Sequence, residues 1–456
     1  MPTNTSPLDP RRARGGQFVA LPAPSPALLL ALLLALLAPL AGCADREEAP
    51  PANAPIALIG WDGANWDVID PLLAAGRLPN LQRLLDRGSR GVLRAEPPLL
   101  SPVVWTTLAT GFPPDAHGIV DFQLPDAAGD RRVLASTRHR RRAALWRIAS
   151  AAGRRVGFVG WWTTWPAEPV NGWLVSDHLA YNRWDAWARR GPDAADFLTF
   201  PEELTDELHP LAVAPEDVDE AELLALAPFN DAERAEMMAA TRPIIFHGPS
   251  VLRFGYATDA SNLAFAKHLL DHREQPDLLA VVFILSDVAG HVFWHHYEPG
   301  RFPGWDDDHL AEAIPNVYAR LDRWTGELLE RLDPTTRVVV LSDHGMAPGG
   351  EPPRPGRNPA GDHHPDGILV VSGAGGGRGA DLGVVPALDL TPTILALLDL
   401  PVAEDMPGRP VEALVRGRTL RSIPGYGDGR VDGAAPQISP AELEYLERLR
   451  SLGYVE

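Results

Sequence analysis

The chain has a single cysteine, Cys43, in 456 residues. A disulfide framework is therefore excluded, and an exported protein of this size must rest on its hydrophobic core. Lysine is as scarce. Lys267 is the only one, and arginine supplies the remaining basic charge, which reads as GC-rich coding bias and not as phosphate recognition. Positive charge also falls short overall, 41 basic against 60 acidic residues for a net charge of −19, and removal of a basic leader would make the remainder more acidic still. Such a surface disfavours stable nucleic-acid binding, so a polyanionic substrate would have to be drawn in by local metal charge. No repeat of fixed period is present. The composition, 45% hydrophobic and 22% charged, is that of an ordinary globular protein, and the length suffices for one large α/β domain with an insertion or for two domains.

The N-terminus departs from this composition. Arg11, Arg12 and Arg14 precede an apolar run at 27–40, which ends in Leu40-Ala41-Gly42-Cys43. A basic segment, an apolar stretch too short to span a bilayer comfortably, and small residues before a cut form the layout of a secretory signal. Cys43 stands where a bacterial lipoprotein signal places its lipidated residue, and 40–43 resembles a lipobox. An uncleaved anchor helix is the alternative, and either version keeps the rest of the chain tethered outside the cytoplasm. With Ala44 next, anchoring in the outer membrane of a bacterial envelope is favoured. The expected organisation is a lipoprotein signal peptide at 1–42, a Pro, Ala and acidic tether at 43–55, a catalytic domain at 56–424, and a Gly-rich linker with a C-terminal helix at 425–456.

From residue 56 the pattern alternates. An apolar run at 56–61 meets Asp62-Gly63, and helical periodicity follows at 66–75 and 81–87, with Gly88 expected at a helix C′ position. Further helices are predicted at 143–152 and 310–332, and strands at 156–161, 278–285, 338–341 and 368–371. This alternation predicts an α/β fold, a doubly wound, mostly parallel sheet with helices on both faces and a ligand site outside the carboxyl ends of the strands. From about 177 to 277 the sheet pattern lapses into an acidic, helix-prone stretch, expected as a cap-like insertion beside that site or as a solvated decoration.

Candidate chemistry concentrates at the strand ends. Asp62, Asp287 and Asp343 each follow an apolar run. Any one of them alone reads as a turn or helix-cap residue; three together, two with a histidine in reach, point to metal ligands. His291 lies four residues after Asp287, and His344 adjoins Asp343 in a turn that Gly345 can provide. His363 lies on a loop before 368–371, with Asp362, His364 and Asp366 as rivals or as partners that orient it; His295 and His296 similarly rival His291. Ser101 precedes Pro102, a pairing expected at a helix N-terminus with Ser101 as the cap, where free N–H groups favour an anion. Six donors split evenly make two three-ligand sites for zinc-like ions. Two ions about 4 Å apart can stabilise both the attacking and the leaving oxygen of an in-line displacement at phosphorus. With three imidazoles and three carboxylates, two Zn2+ are preferred, and Mn2+ or other divalent ions are compatible.

Six motifs in one order, WDG at 61–63, SPVVWTTLATG at 101–111, HGIVDF at 117–122, SDVAGH at 286–291, SDHG at 342–345 and GDHHPDG at 361–367, resemble the alkaline phosphatase superfamily over roughly 56–409. They are most similar to its type I phosphodiesterase/nucleotide pyrophosphatase branch. The resemblance implies that Asp62, Asp343 and His344 hold one zinc near Ser101, and that Asp287, His291 and His363 hold the other. It further implies that Ser101 attacks phosphorus to give a phosphoseryl intermediate that water hydrolyses. The expected substrate is a phosphorylated small molecule, nucleotide or lipid. Relatives of the nucleotide type carry an asparagine shortly after the HGI motif that binds a phosphate oxygen, whereas this chain has Asp121-Phe122, so diester selectivity is not implied. Their nucleophile is commonly threonine; Thr106 would lie a turn too far along the helix. A sulfatase would need Cys or Ser followed by x-Pro-x-Arg, which Ser101-Pro-Val-Val-Trp lacks. The resulting expectation is a lipid-anchored two-zinc phosphohydrolase, a phosphodiesterase or pyrophosphatase ahead of a phosphomonoesterase or phosphotransferase. A non-catalytic, metal-stabilised binding lipoprotein is the reading from another class.

Overall fold

The computed structural model describes residues 54–427 apart from 127–128, 130–131, 182–196, 241–247, 350–359 and 374–378. The expected signal peptide, Cys43, most of the tether and the C-terminal helix lie outside the described residues. Among those described, no helix is long and apolar enough to cross a membrane.

The strands are β1 (Ile56–Trp61), β2 (Gly88–Arg94), β3 (Gln123–Pro125), β4 (Arg132–Leu134), β5 (Val156–Val159), β6 (Gly172–Val175), β7 (Thr199–Phe200), β8 (Leu278–Phe283), β9 (Arg337–Leu341), β10 (Gly345–Pro348), β11 (Gly361–His364), β12 (Asp366–Ser372), β13 (Asp381–Pro386), β14 (Val402–Ala403) and β15 (Ser422–Ile423). Nine of them form one sheet in the order β13-β2-β12-β9-β1-β8-β5-β6-β7. Its pairings are parallel except those of β12 with β2 and β9, and of β7 with β6. The expected doubly wound, mostly parallel sheet is therefore present.

Because side chains alternate across a strand, the apolar runs serve two cores at once. Ala57, Ile59 and Trp61 of β1 join Leu279, Val281 and Phe283 of β8 on one face, under the Ser250–His272, Leu285–Tyr297 and Ala313–Leu329 helices. Ile56 and Leu58 join Leu278, Ala280 and Val282 on the other, under the Ser101–Thr110, Leu145–Ala151 and Leu390–Leu397 helices. Strands buried on both faces read as continuous apolar runs, which is why β1, β8 and β9 were legible.

The central strands place the site. β1 lies between β9 and β8 with all three parallel, Trp61 opposite Phe283 and Gly60 opposite Leu341, so the chain leaves all three at one edge of the sheet. β12 runs the opposite way beside β9, and its beginning therefore lies at that same edge.

Four local expectations need correction. Gly88 does not end a helix by a left-handed turn; the Pro79–Leu85 helix closes at Asp86 and Gly88 opens β2, a strand whose mixed composition gave no apolar signal. His363 is not on a loop but in β11, paired antiparallel with β10 and opposite Met346. Ser101 is the first helical residue; extended Leu100 is the cap position, and the Ser101 side chain makes no capping bond. In the 177–277 stretch, the Ser250–His272 helix is a core element, with Leu252, Ala257, Phe265 and Leu269 fully buried. Its buried Arg253 and Asp259 diluted the apolar periodicity that would have announced it.

Candidate active site

The six donor side chains and Ser101 converge at the sheet edge. Asp62 immediately follows β1, and its Oδ1 lies 3.4 Å from Ser101 Oγ and 3.6 Å from His344 Nε2. Asp343 and His344 follow β9, with Asp343 Oδ2 3.3 Å from His344 Nε2. Asp62, Asp343 and His344 thus bring one donor atom each to within 4.8 Å of one another, and so do Asp287, His344 and His363. Asp287 stands in the first turn of the Leu285–Tyr297 helix rather than in a turn beyond a strand, and His291 one turn later faces it at 3.3 Å. His363 Nε2 is also 3.3 Å from Asp287 Oδ1. One helix face thus supplies two donors, as i,i+4 spacing requires.

Close backbone approaches make the convergence possible. Gly63 adopts φ +69, and a Cβ there would lie 2.9 Å from the Asp287 Cα. A Cβ on Gly361 would lie 2.5 Å from the Gly290 carbonyl oxygen, so β11 can press against the helix that carries His291. Gly345 serves in the same way, since a Cβ there would meet the Asp366 carbonyl oxygen at 2.2 Å.

The surroundings fix each imidazole. His291 Nδ1 donates to Gly361 O at 2.9 Å and His344 Nδ1 to Gly345 O at 3.0 Å, while the backbone of Leu99 is bonded to His363. A ring nitrogen that donates to a carbonyl leaves the other as a lone-pair donor. In both His291 and His344 that other nitrogen is Nε2, which faces the cluster.

Charge in the cluster does not balance within the protein. Burial, reinforced by Asp343 and Asp287, holds Asp62 well above the ordinary carboxylate range. Burial and Asp287 do the same to Asp343. Burial pushes Asp287 up as well, yet His291 and His363 outweigh it and hold the group well below that range. Burial and neighbouring His363 push His344 down to about 3. Three carboxylates in a dry site oppose one another unless cations lie among them. Asp287 Oδ1, Asp343 Oδ2 and His344 Nε2 are buried with no hydrogen-bond partner, and all are directed at the cluster. The donor set, three oxygens and three nitrogens, fits divalent ions of the zinc type.

A family model described as type I phosphodiesterase / nucleotide pyrophosphatase matches residues 56–354. The chain belongs to this family. No curated protein gives a significant match. Among solved structures, the chain is similar to phosphonoacetate hydrolase from Sinorhizobium meliloti 1021 in complex with phosphonoformate, at 20% identity with a TM-score of 0.37, over 66% of this chain and 58% of that one. It is similar to the same enzyme in complex with phosphonoacetate at 20% identity and a TM-score of 0.37, over 67% and 59% respectively. The chain thus spans less than two thirds of the length of those structures.

The remaining expected site residues of this type I phosphodiesterase family member fall outside the cluster. Asp366 pairs with Arg94 at 2.5 Å, His364 accepts from the Asp366 N–H, and Asp362 accepts from the His363 backbone, not from its ring. His295 and His296 pack with Trp305. Thr106 Oγ1 donates to Pro102 O at 2.6 Å and meets Thr163 Oγ1 at 2.8 Å, so its hydroxyl is engaged behind the site. Asp121 is tied to Arg132 at 2.6 Å, and Phe122 lies edge-on to Trp162.

Several supporting residues were not singled out by the sequence. Ser286 Oγ donates to Asp62 O at 2.6 Å, and Ser342 Oγ accepts from Ala64 N at 2.9 Å; both sit inside quoted motifs. Asp259 accepts from the backbone N–H groups of Ile284 and Leu285 at 2.8–2.9 Å and so caps the ligand-bearing helix from a different helix, since the helix's own cap residue, Ile284, has no side chain that can do so. That role depends on tertiary packing and leaves no local trace.

Proposed function

We propose that the protein is an extracytoplasmic, lipid-anchored phosphohydrolase that holds two zinc ions and cleaves phosphate esters, with phosphodiesters favoured, through a phosphoseryl intermediate on Ser101. The observation that carries this reading is the set of buried, unpartnered donor atoms on Asp287, Asp343 and His344 around a helix N-terminus that presents Ser101 Oγ. Asp62, Asp343 and His344 would hold the ion near Ser101, and Asp287, His291 and His363 the other. Bound there, the ions would supply Lewis-acid stabilisation of charge on the phosphoryl oxygens.

The chain's own groups account for the rest. Ser101 is 4% exposed, with its Oγ beside the Asp62 carboxylate that would share an ion with it. The partial positive charge of the helix N-terminus lowers the cost of forming an alkoxide. In-line attack by Oγ forms the Oγ–P bond as the P–O bond to the leaving group breaks, the hydroxyl losing a proton and the leaving alkoxide taking one up. Water then breaks the Oγ–P bond, its oxygen staying on the released phosphate and a proton returning to Oγ. Family membership supports diester or pyrophosphate substrates. No asparagine amide stands where Asp121 and Phe122 do, which keeps a monoester in contention.

The zinc-loaded protein is to be assayed on aryl phosphodiesters and phosphomonoesters of equal leaving group, with acid-quenched samples examined for phosphate on Ser101. Turnover with a diester-to-monoester rate ratio above one and label on Ser101 is expected. Absence of turnover on mono-, di- and pyrophosphate esters by protein that holds two ions would leave the binding-lipoprotein reading. Transfer of the phosphoryl group to an added alcohol in preference to water would make it a phosphotransferase. Lipidation is tested by fatty-acid labelling of the wild type and of Cys43→Ala, with label expected on the former alone.

A further inference from the structure

Asp62 Oδ2 is engaged twice. It accepts from Trp105 Nε1 at 2.9 Å and from Trp162 Nε1 at 3.0 Å, while Oδ1 faces Ser101 and His344. A carboxylate oxygen has two in-plane lone pairs, and two indole N–H donors use both. We infer that Trp162, together with Trp105, is a positioning residue that blocks Oδ2 and so confines Asp62 to single-atom ligation through Oδ1 of the divalent ion next to Ser101. The inference rests on the two-ion reading proposed above.

The two indoles are held by different means. Trp105 lies one helical turn after Ser101 and is fully buried across β1; a Cβ at Gly60 would come within 2.5 Å of its ring. Its carbonyl accepts from Trp161 Nε1 at 3.1 Å, and the two rings meet edge to face at 4.8 Å. This indole is part of the core, and its donor is fixed by packing. Trp162 is only half-buried and sits in an irregular segment just beyond β5. The next residue, Thr163, has φ 59, a left-handed conformation that is strained for a β-branched residue and persists only where its surroundings over-determine it.

Asp177 does so here. Its carboxylate accepts from the N–H groups of Thr163 at 2.9 Å, Thr164 at 3.3 Å and Trp165 at 3.1 Å, and from Thr164 Oγ1 at 3.2 Å. Thr163 Oγ1 is tied in turn to Thr106 Oγ1, on the helix that begins with Ser101. A clamp of this extent around one strained residue has a local consequence, which is to turn the Trp162 N–H onto Asp62. The Trp162 ring also lies edge to face with Phe122, with ring centroids 5.9 Å apart. The ligand's orientation is thereby linked to Phe122, in the Asp121-Phe122 pair where this chain departs from nucleotide-type relatives.

The experiment uses the full chain stripped of metal and titrated with Co2+ and Zn2+ against a competing chelator. Trp162→Phe keeps the ring contact with Phe122 and deletes the N–H. The affinity of one of the two ions is expected to fall about 10–100-fold, the range for loss of a hydrogen bond behind a metal ligand, with the other unchanged. The Co2+ visible absorption is expected to weaken as the freed Oδ2 raises the coordination number. Replacing Trp162 by benzothienylalanine, which preserves ring shape and has sulfur in place of N–H, should reproduce both changes and separates the donor's role from folding. Asp177→Asn should shift the same ion in the same direction by less. Wild-type affinities and spectra in both position-162 variants would overturn the inference and leave the proposed function standing. Failure of the wild type to bind two ions would overturn both.

Discussion

The Nε2 atoms of His291 and His363 face each other at 2.9 Å, on rings tilted by 53°. His291 Nδ1 is bonded to Gly361 O, which turns Nε2 toward the other ring. Asp287 Oδ1 lies 3.3 Å from both nitrogens. Three donors gathered round one point favour a cation there, and removing any of them should be felt in metal content before it is felt in the fold.

His363→Ala should accordingly lower bound zinc from about two ions per chain toward one, because two donors remain where three stood. Elemental analysis after gel filtration reads this directly. Unchanged zinc in this variant would exclude His363 from the ligand set.

Ser101→Ala should remove more than about 10³-fold of kcat, the scale seen on deleting a nucleophile, with metal content near wild type. A loss of only a few-fold would show that Ser101 does not attack phosphorus.

Chelation should destabilise as well as inactivate. Ions that bind only the folded chain stabilise it by RT ln(1 + [L]/Kd), about 4 kcal/mol at a thousandfold excess over Kd. The stripped protein also retains mutually repelling carboxylates on Asp62, Asp287 and Asp343. Denaturant unfolding with and without chelator should show a lower midpoint for the stripped form, restored by zinc; coincident curves would argue against a resident ion.

Asp259→Ala should cost about 1–3 kcal/mol, since it leaves the N–H groups of Ile284 and Leu285 buried without acceptors. It should weaken metal binding in parallel, because the helix it caps carries Asp287 and His291. Asp259→Asn, which retains an acceptor, should cost less; burial already holds the aspartate well above its ordinary range, so a neutral group suits the position. Urea midpoints of the two variants, compared with wild type, decide this.

His117 supplies a pH signature independent of metal. Burial, then the nearby Arg140 charge, pushes its imidazole down to about 3, while its Nδ1 accepts from Ile119 N–H at 3.1 Å. The unfolded chain takes up a proton near pH 6.5, which the folded form does not hold until about pH 3. The stabilisation is therefore complete above about pH 6.5 and declines as pH falls toward 3, by a few kcal/mol in total. His117→Gln should flatten the fall in urea midpoint between pH 7 and 5 relative to wild type; an unaltered slope would contradict a buried neutral imidazole.

Much of this was legible in the chain itself. The alternation of apolar runs and helical periodicity sufficed to predict a doubly wound sheet, and three such runs followed by aspartate singled out donors that the structure brings to one edge of it. β2 and the Ser250–His272 helix escaped, one because its pattern of Gly, Ser and Arg is not apolar, the other because it buries an arginine and an aspartate among its hydrophobic residues. Trp162 and Asp177 left no sequence trace, since a side chain that acts by orienting another is recognised by distance and not by residue type.

The sequence determined the kinds of atom available and the local elements that present them, because apolar period and strand-end chemistry are written along a few neighbouring residues. Only the tertiary structure decided that β1 inserts between β9 and β8, that the reversed β12 starts beside them, and that two indoles close one oxygen of Asp62. Each of these joins segments tens to hundreds of residues apart, and such contacts are set by the packing of whole faces against one another, which no local pattern encodes.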